Sequence, residues 1–215
     1  MKKGKMERGI FLLAGYVLGL IQTGYIFGKT KNIDIREYGS GNAGATNTLR
    51  VLGKKAGFIV FLGDFLKALI PCLLVRYFFR SEPNTGDIYM LYTGFGVVLG
   101  HSYPFYLKFK GGKGVASIAG ILTAVDLRIT LVCLIVFPLI VALTRYVSLA
   151  SIAVMFCFAS MSVLFVYLNY FNVDGNGRIE FAVLVCVIAV FSIYRHKSNI
   201  QRLLSGTENK INFKK

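Results

Sequence analysis

The sequence predicts an all-α, polytopic membrane protein, a single domain over residues 1–215 with seven transmembrane helices joined by short loops. Three observations lead there. Of the 215 residues, 55% are hydrophobic and the mean hydropathy is +0.60, whereas an ordinary soluble domain is roughly 45–50% apolar even with glycine counted. The apolar residues fall in runs long enough to cross a hydrocarbon core of about 30 Å. The lysines and arginines lie almost wholly between those runs. The net charge of +15 therefore sets topology and attracts anionic headgroups or phosphorylated substrates, and nucleic acid is not an expected partner.

The chain opens on a basic lead, Met1 to Arg8, and a run from Ile10 to Phe27. No A-x-A site follows that run, so it reads as a retained first span and not as a signal peptide. Next comes a polar, glycine-rich stretch, YGSGNAGATNTLR, from Tyr38 to Arg50. Gly39, Gly41 and Gly44 allow φ > 0 and close approach of backbone N–H groups to a ligand. Ser40, Asn42, Thr46 and Asn47 add side-chain hydrogen bonds, and Arg50 adds a planar donor fork. A plain turn needs the glycines alone, so these are the parts of a phosphate cradle. The second run, Ala56 to Phe79, contains Asp64 and Lys67. At i,i+3 spacing they share a helix face, and charges at that depth pair and face the protein interior. Either they lock helices together or they support the loops.

Arg80 to Asp87 is a polar turn, and Ile88 to Tyr106 a third span. The stretch GHSYPFYLKFKGGKGVA, Gly100 to Ala116, follows. Its Lys108, Lys110 and Lys113 flank a Gly-Gly pair, read as a flexible, positively charged turn. A helix starting at Gly114 would add the free N–H groups of its first turn. His101 reads as a helix-end hydrogen-bonder in preference to a site residue. From Val115 to Thr144 only Asp126 and Arg128 interrupt the apolar character, giving one over-long helix or a hairpin of two short spans. Ser148 and Ser151, in VSLAS, are either cap and first-turn hydroxyls or site residues. Their run reaches Phe171, and the last one covers Ile179 to Tyr194. In the basic tail from Arg195 to Lys210, His196, Asn199 and Arg202 recur at a spacing of three and share one helical face. Cys72, Cys133, Cys157 and Cys186 sit inside apolar runs and read as small hydrophobes; neither disulfide nor metal site is expected.

Topology decides whether the polar pieces meet. With the hairpin, the 38–50 loop, the lysine loop, Arg145 to Ser151 and the tail all fall on one side. That side holds 16 lysines and arginines against 8 opposite, as the positive-inside rule demands of the cytoplasmic face. A single helix across 115–144 separates the clusters and loses the asymmetry. Seven spans with a cytoplasmic tail are therefore expected, although Val115 to Val125 is short for a span.

GSGNAGATNTLR, GHSYPFYLKFKGGKGVA, VSLAS and HKSNIQRLLSGTENK resemble, in order and over nearly the whole chain, the successive motifs of the PlsY family of bacterial membrane acyl-phosphate:glycerol-3-phosphate acyltransferases. Ser117 departs from the family's usual Gly-Val-Ala-Thr and keeps the hydroxyl. The resemblance implies a seven-span inner-membrane enzyme with short cytoplasmic active-site loops. It would move a fatty acyl group from acyl phosphate to the 1-hydroxyl of glycerol 3-phosphate, giving lysophosphatidic acid and phosphate in phospholipid biosynthesis. By motif, Ser40, Lys113 and His196 are the catalytic candidates. Gly41, Asn42, Asn47, Arg50, Lys110, Ser148, Ser151 and Asn199 are the substrate-binding ones. No cofactor is implied; the partners are the two substrates, membrane lipids and the enzyme that makes acyl phosphate.

Two anions are then to be positioned, and charge stabilised as the carbonyl is attacked. His196 is the side-chain candidate for the base, but a substrate phosphate oxygen is favoured, because neither His101 nor His196 has a carboxylate partner within its motif. Thioester-dependent acyltransferases commonly carry His-x4-Asp, whereas the residue five after His101 is Tyr106 and five after His196 is Gln201. A transporter of an organic phosphate is the alternative. It would place polar residues mid-membrane with an internal repeat, and none is evident.

Overall fold

The computed structural model describes residues 2–211. Those residues form ten α-helices and no strand. The first apolar run is broken in two, α1 (Lys2–Gly19) and α2 (Thr23–Lys29). Sequence alone predicts one span here, and Gly4–Lys29 is one, with an interruption at Leu20 to Gln22 that the sequence does not signal. The polar loop ends in α3 (Ala45–Leu52), which turns at Gly53 into α4 (Lys54–Phe78). Then come α5 (Gly86–Ser102), α6 (Val115–Val125) and α7 (Leu127–Thr144), followed by α8 (Val147–Tyr167), α9 (Gly175–Arg195) and α10 (Lys197–Leu204).

Helix α5 is the axis of the bundle and packs against α1, α4, α6 and α9. Fourteen of its 17 residues are buried. Around it, α7, α8 and α9 pack in sequence order, and they keep large apolar side chains such as Leu134, Ile135 and Leu143 exposed. Outward apolar faces of this kind belong in lipid, since in water a patch this size would drive association.

The α1–α5 contact is made by glycine on both sides. A Cβ on Gly96 would lie 2.1 Å from the Leu12 carbonyl oxygen, and one on Gly100 2.1 Å from that of Tyr16. Gly15 and Gly19 of α1 stand equally close to the Thr93 and Val97 oxygens of α5. The spacing is Gly-x3-Gly on each helix, which lets backbones touch in a setting where lipid is as apolar as leucine and close packing drives association.

The stretch from Val115 to Thr144 is two helices. Asp126, in extended conformation, ends α6 and caps α7 by accepting from the Arg128 N–H at 2.8 Å. The over-long single helix is thereby ruled out. Five segments are long and apolar enough to cross a membrane: Gly4–Lys29, α4, α7, α8 and α9. Helix α5, at 17 residues, is at the lower limit for a span, and α6, at 11, is too short to cross by itself.

The two ends of the bundle differ. At one end, Tyr89 donates to Glu7, Arg8 forks onto Glu180 at 2.5 and 2.7 Å, and Arg76 pairs with Asp87 at 2.8 Å. At the other end lie the 38–50 loop, the lysine loop, the α7–α8 junction and the tail.

Replacing Gly96 by alanine is expected to destabilise the protein by about 1–3 kcal/mol, the usual cost of overpacking. Thermal unfolding in detergent should show a midpoint lower by roughly 2–10 °C. An unchanged midpoint would mean that α1 and α5 are not held at backbone contact.

Candidate functional site

Four separate pieces of sequence meet at the loop end, and one carboxylate gathers them. Glu208 is buried in the tail that follows α10. Its Oε1 accepts from Ser148 Oγ at 3.0 Å and from Asn199 Nδ2 at 2.7 Å, and its Oε2 accepts from Arg202 Nε at 2.8 Å. Asn199 in turn accepts from the Lys113 ammonium. Arg50 reaches the same tail through the Asn209 carbonyl at 3.4 Å, and the Ile211 N–H closes onto the Arg145 carbonyl at 2.8 Å. Residues from α3, the lysine loop, α8 and α10 are thus joined. Since Lys113 and Arg145 lie at the same end, α6 and α7 must run out and back.

The charges do not balance. Lys113 lies in the field of Arg202, Arg195 and Arg50, with Glu208 the sole carboxylate acting on it. Burial, together with those three guanidinium groups, pulls its ammonium down to about 8. Burial pushes the Glu208 carboxyl up, but hydrogen bonds from Asn199, Ser148 and Arg202 outweigh it and hold the group below the usual value. Four cations against one anion leave a surplus that a phosphate would neutralise.

His196 sits at the junction of α9 and α10 and is buried. Its Nδ1 lies 2.8 Å from the Ser192 carbonyl. A carbonyl only accepts, so Nδ1 carries the proton and Nε2 keeps its lone pair. Burial and the nearby charges of Lys113 and Arg195 lower its pKa to about 4, so the ring is neutral at neutral pH, with a free lone pair on Nε2 but weak basicity.

The glycine pair before Lys113 is a fixed strap, which corrects the expected flexible turn. Gly111 N–H donates to the Ser102 carbonyl at 3.2 Å and Gly112 N–H to that of His101 at 3.1 Å. Arg195 Nη2 donates to the Gly112 carbonyl at 3.0 Å. A Cβ on Gly112 would lie 2.1 Å from His101 Nε2, so no larger residue fits.

The 38–50 loop is less of an open cradle than its composition suggests. Gly39 and Gly41 do take positive φ, +60° and +70°. Asn47, however, is buried and spends its amide inside the loop. Its Oδ1 accepts from Ser40 N–H at 2.7 Å and from Ser40 Oγ at 3.1 Å, and its Nδ2 donates to the Ile35 and Tyr38 carbonyls at 3.0 and 2.9 Å. Asn42 accepts from the Gly44 N–H at 2.9 Å in a local turn. Ser40, Gly41 and Lys110 stand exposed, and Arg50 is the loop residue that reaches the cluster. Ser151 donates to the Val147 carbonyl at 2.9 Å. The N-cap of α8 is Tyr146, so Ser148 is free to face Glu208.

Glu208 and Arg195 are the residues that sequence reasoning missed. The signal for Glu208 was available, as a single acid in a tail that is otherwise basic. Arg195 appears in the sequence only as the first residue of a basic tail.

The family model for glycerol-3-phosphate acyltransferase matches residues 9–206. The chain is 44% identical over 200 residues to a glycerol-3-phosphate acyltransferase of Thermoanaerobacter sp. (strain X514), covering 93% of each chain. It is 40% identical over 211 residues to one from Macrococcus caseolyticus, covering 98% of this chain and 100% of that one. A crystal structure of PlsY, an integral membrane glycerol 3-phosphate acyltransferase in its glycerol 3-phosphate form, superposes with a TM-score of 0.82 at 38% identity. It covers 95% of this chain and 96% of that one. The lysophosphatidic acid form gives a TM-score of 0.80.

The lowered pKa of Lys113 sets a pH dependence. A phosphate monoester is fully dianionic well above its second pKa of about 6, so weakening at higher pH reports the protein. As pH rises through about 8 the ammonium loses its charge. The dissociation constant of a phosphate monoester, measured by calorimetry, is then expected to rise by up to about tenfold per unit. Lys113→Arg should flatten that rise, and a flat profile in the parent would show that the Lys113 charge does not touch the anion.

Proposed function

The chain belongs to the glycerol-3-phosphate acyltransferase family, and from that premise we propose that it transfers a fatty acyl group from acyl phosphate to the 1-hydroxyl of sn-glycerol 3-phosphate. The products are lysophosphatidic acid and inorganic phosphate, the first committed material for phospholipid synthesis. The observation that carries the reading is the surplus of positive charge: Arg50, Lys113, Arg195 and Arg202 gathered about the lone Glu208. Both substrates bring a phosphate to such a site, and one leaves as free phosphate.

In the step itself the acceptor oxygen attacks the acyl carbonyl carbon, the bond from that carbon to the phosphate oxygen breaks, and the hydroxyl proton is taken up. His196 Nε2 holds a free lone pair for that proton, and an oxygen of a substrate phosphate is the competing acceptor. A mixed anhydride has a good leaving group, so no acyl-enzyme is required. Lys113 and Arg50 hold phosphate; the Ser40 hydroxyl and the Gly41 N–H are given to Asn47 Oδ1 and to the Tyr38 carbonyl, so a phosphate at the loop crest would take them over from those partners. Ser148, Asn199 and Asn47 keep the donors aligned, while Lys110 adds charge at the mouth.

Helix α6 has 11 residues, about 16 Å at 1.5 Å per residue, against a core of about 30 Å. Lys113 at its start is thus recessed toward the bilayer, where a chain embedded in lipid can present its carbonyl. The whole is one seven-span domain of the cytoplasmic membrane, with the site facing the cytoplasm because the positive-inside asymmetry points there. Acyl phosphate reaches it from the bilayer or from the enzyme that makes it.

The purified protein in detergent, given glycerol 3-phosphate with acyl phosphate, palmitoyl-CoA or palmitoyl-loaded acyl carrier protein at equal concentration, should form lysophosphatidic acid from acyl phosphate alone. Comparable product from palmitoyl-CoA would refute the donor assignment.

Arg50→Lys keeps the charge and loses the two-pronged contact with phosphate. A charge-assisted hydrogen bond is worth roughly 1.5–3 kcal/mol, so kcat/KM is expected to fall by about one to two orders of magnitude. Activity within about a factor of two of the parent would reduce Arg50 to a topology charge.

A further inference from the structure

Deep beneath the strap lies a second group of ionisable side chains, separate from the cluster at Glu208. Lys67, from the middle of α4, has a side chain only 5% exposed, and that of Asp64 is 1% exposed. The three N–H bonds of that ammonium have three close partners: Asp64 Oδ1 at 2.8 Å, the Ile21 carbonyl at 2.5 Å and His101 Nδ1 at 2.8 Å. Thr23 Oγ also donates to Asp64, at 3.0 Å. An ammonium only donates, so His101 Nδ1 accepts, and the proton of this neutral ring resides on Nε2. The ring is thereby fixed in tautomer and in orientation, with Nε2 toward Gly112.

That edge sets the height of the strap. His101 underlies Gly112 so closely that a Cβ there would meet Nε2 at 2.1 Å, and one on Gly111 would meet the His101 carbonyl at 2.1 Å. The same carbonyl accepts from the Gly112 N–H at 3.1 Å and from Gln22 Nε2 at 3.0 Å. From above, Arg195 holds the Gly112 carbonyl. Lys113 is the next residue, so its backbone is gripped on both sides. A pair that merely tied α1 to α4 would need Asp64, Lys67 and the Ile21 carbonyl. It would have no use for a third hydrogen bond to a ring that supports the strap.

We propose that Lys67, held by Asp64, is a positioning residue: through His101 it fixes the Gly111–Gly112 strap and so places the Lys113 ammonium where it meets a phosphate. The proposal rests on the reading of Lys113 as a phosphate-binding group. Lys67 itself touches no reacting atom, and its effect is confined to the affinity for the phosphate-bearing substrates.

The test is a variant that removes both charges together, Asp64→Asn with Lys67→Met, because removing one alone leaves a buried charge without its partner. Thermal unfolding establishes that it is folded, and steady-state kinetics use whichever acyl donor the parent accepts. An error in the donor assignment is then seen in the parent, before variants are compared. If the parent accepts no donor, the functional reading fails, and calorimetric binding of a phosphate monoester replaces KM as the readout. A purely structural defect lowers the active fraction, and with it kcat, and leaves KM alone. The expected result is a rise of about tenfold in KM for at least one phosphate-bearing substrate, the effect of about 1.4 kcal/mol. Gly112→Ala, which leaves the ionic network intact and displaces the strap directly, should raise the same KM, and Asp64→Asn with Lys67→Gln, which keeps polar side chains at both positions, replaces the double variant if that does not fold. Parental KM values for both substrates in either folded variant would overturn the proposal.

Discussion

The structure turns on one requirement of the bilayer: every backbone polar group at depth must find its partner within the protein. The first span breaks after Gly19, and three successive carbonyls there lose helical partners. Each is met by a side chain, one from the break itself and two from distant segments. Gln22 Nε2 donates to Gly19 at 3.2 Å, Tyr106 OH to Leu20 at 2.7 Å, and Lys67 to Ile21 at 2.5 Å. An unmet carbonyl in lipid costs several kcal/mol, so the break persists only because α4 and the lysine loop supply donors to it. The loop is in this way tied to the membrane interior before it reaches any substrate.

The glycine seam makes that arrangement possible. With α1 and α5 at backbone contact, the end of α1 comes alongside the end of α5, and Gln22 can bridge the Gly19, Gly100 and His101 carbonyls at once. Side chains between those helices would hold the break away from the strap. Close packing at the centre of the bundle and geometry at its mouth are consequently one problem, solved by the same glycines.

Much of this was legible in the sequence, and the divide follows the range of the interactions. The end of α6 at Val125, the pairing of Asp64 with Lys67 and the gathering of four polar stretches at one end all follow from local pattern or from counting charge against span number. The break after Gly19 does not, because Leu20 to Gln22 is held open by residues 46 to 86 positions away. Nor does the role of Asn47. An amide inside a glycine-rich loop reads equally well as a ligand or as a brace, and only the positions of the Ile35 and Tyr38 carbonyls distinguish them. Glu208 was hidden for a related reason: Asn199 and Arg202 are close to it in the chain, but Ser148 is 60 positions away, and the cluster is visible only once α8 and the tail are in place.

The two polar groups differ in a way that matches their depth. Asp64 and Lys67 cancel each other, as groups far from water must, and their remaining bonds are to neutral partners. At the mouth the balance is deliberately unequal. Glu208 is sufficient to hold Arg202, Asn199 and Ser148 in place, yet it is too little to neutralise Arg50, Lys113 and Arg195 as well. A second carboxylate would make the empty site more comfortable and would compete with phosphate for the same donors. Without Glu208, the guanidinium groups would repel one another, and Asn199 would lose the bond that keeps it under Lys113. One anion among four cations is therefore the arrangement that both holds the site together and leaves it short of negative charge, which a phosphate would supply.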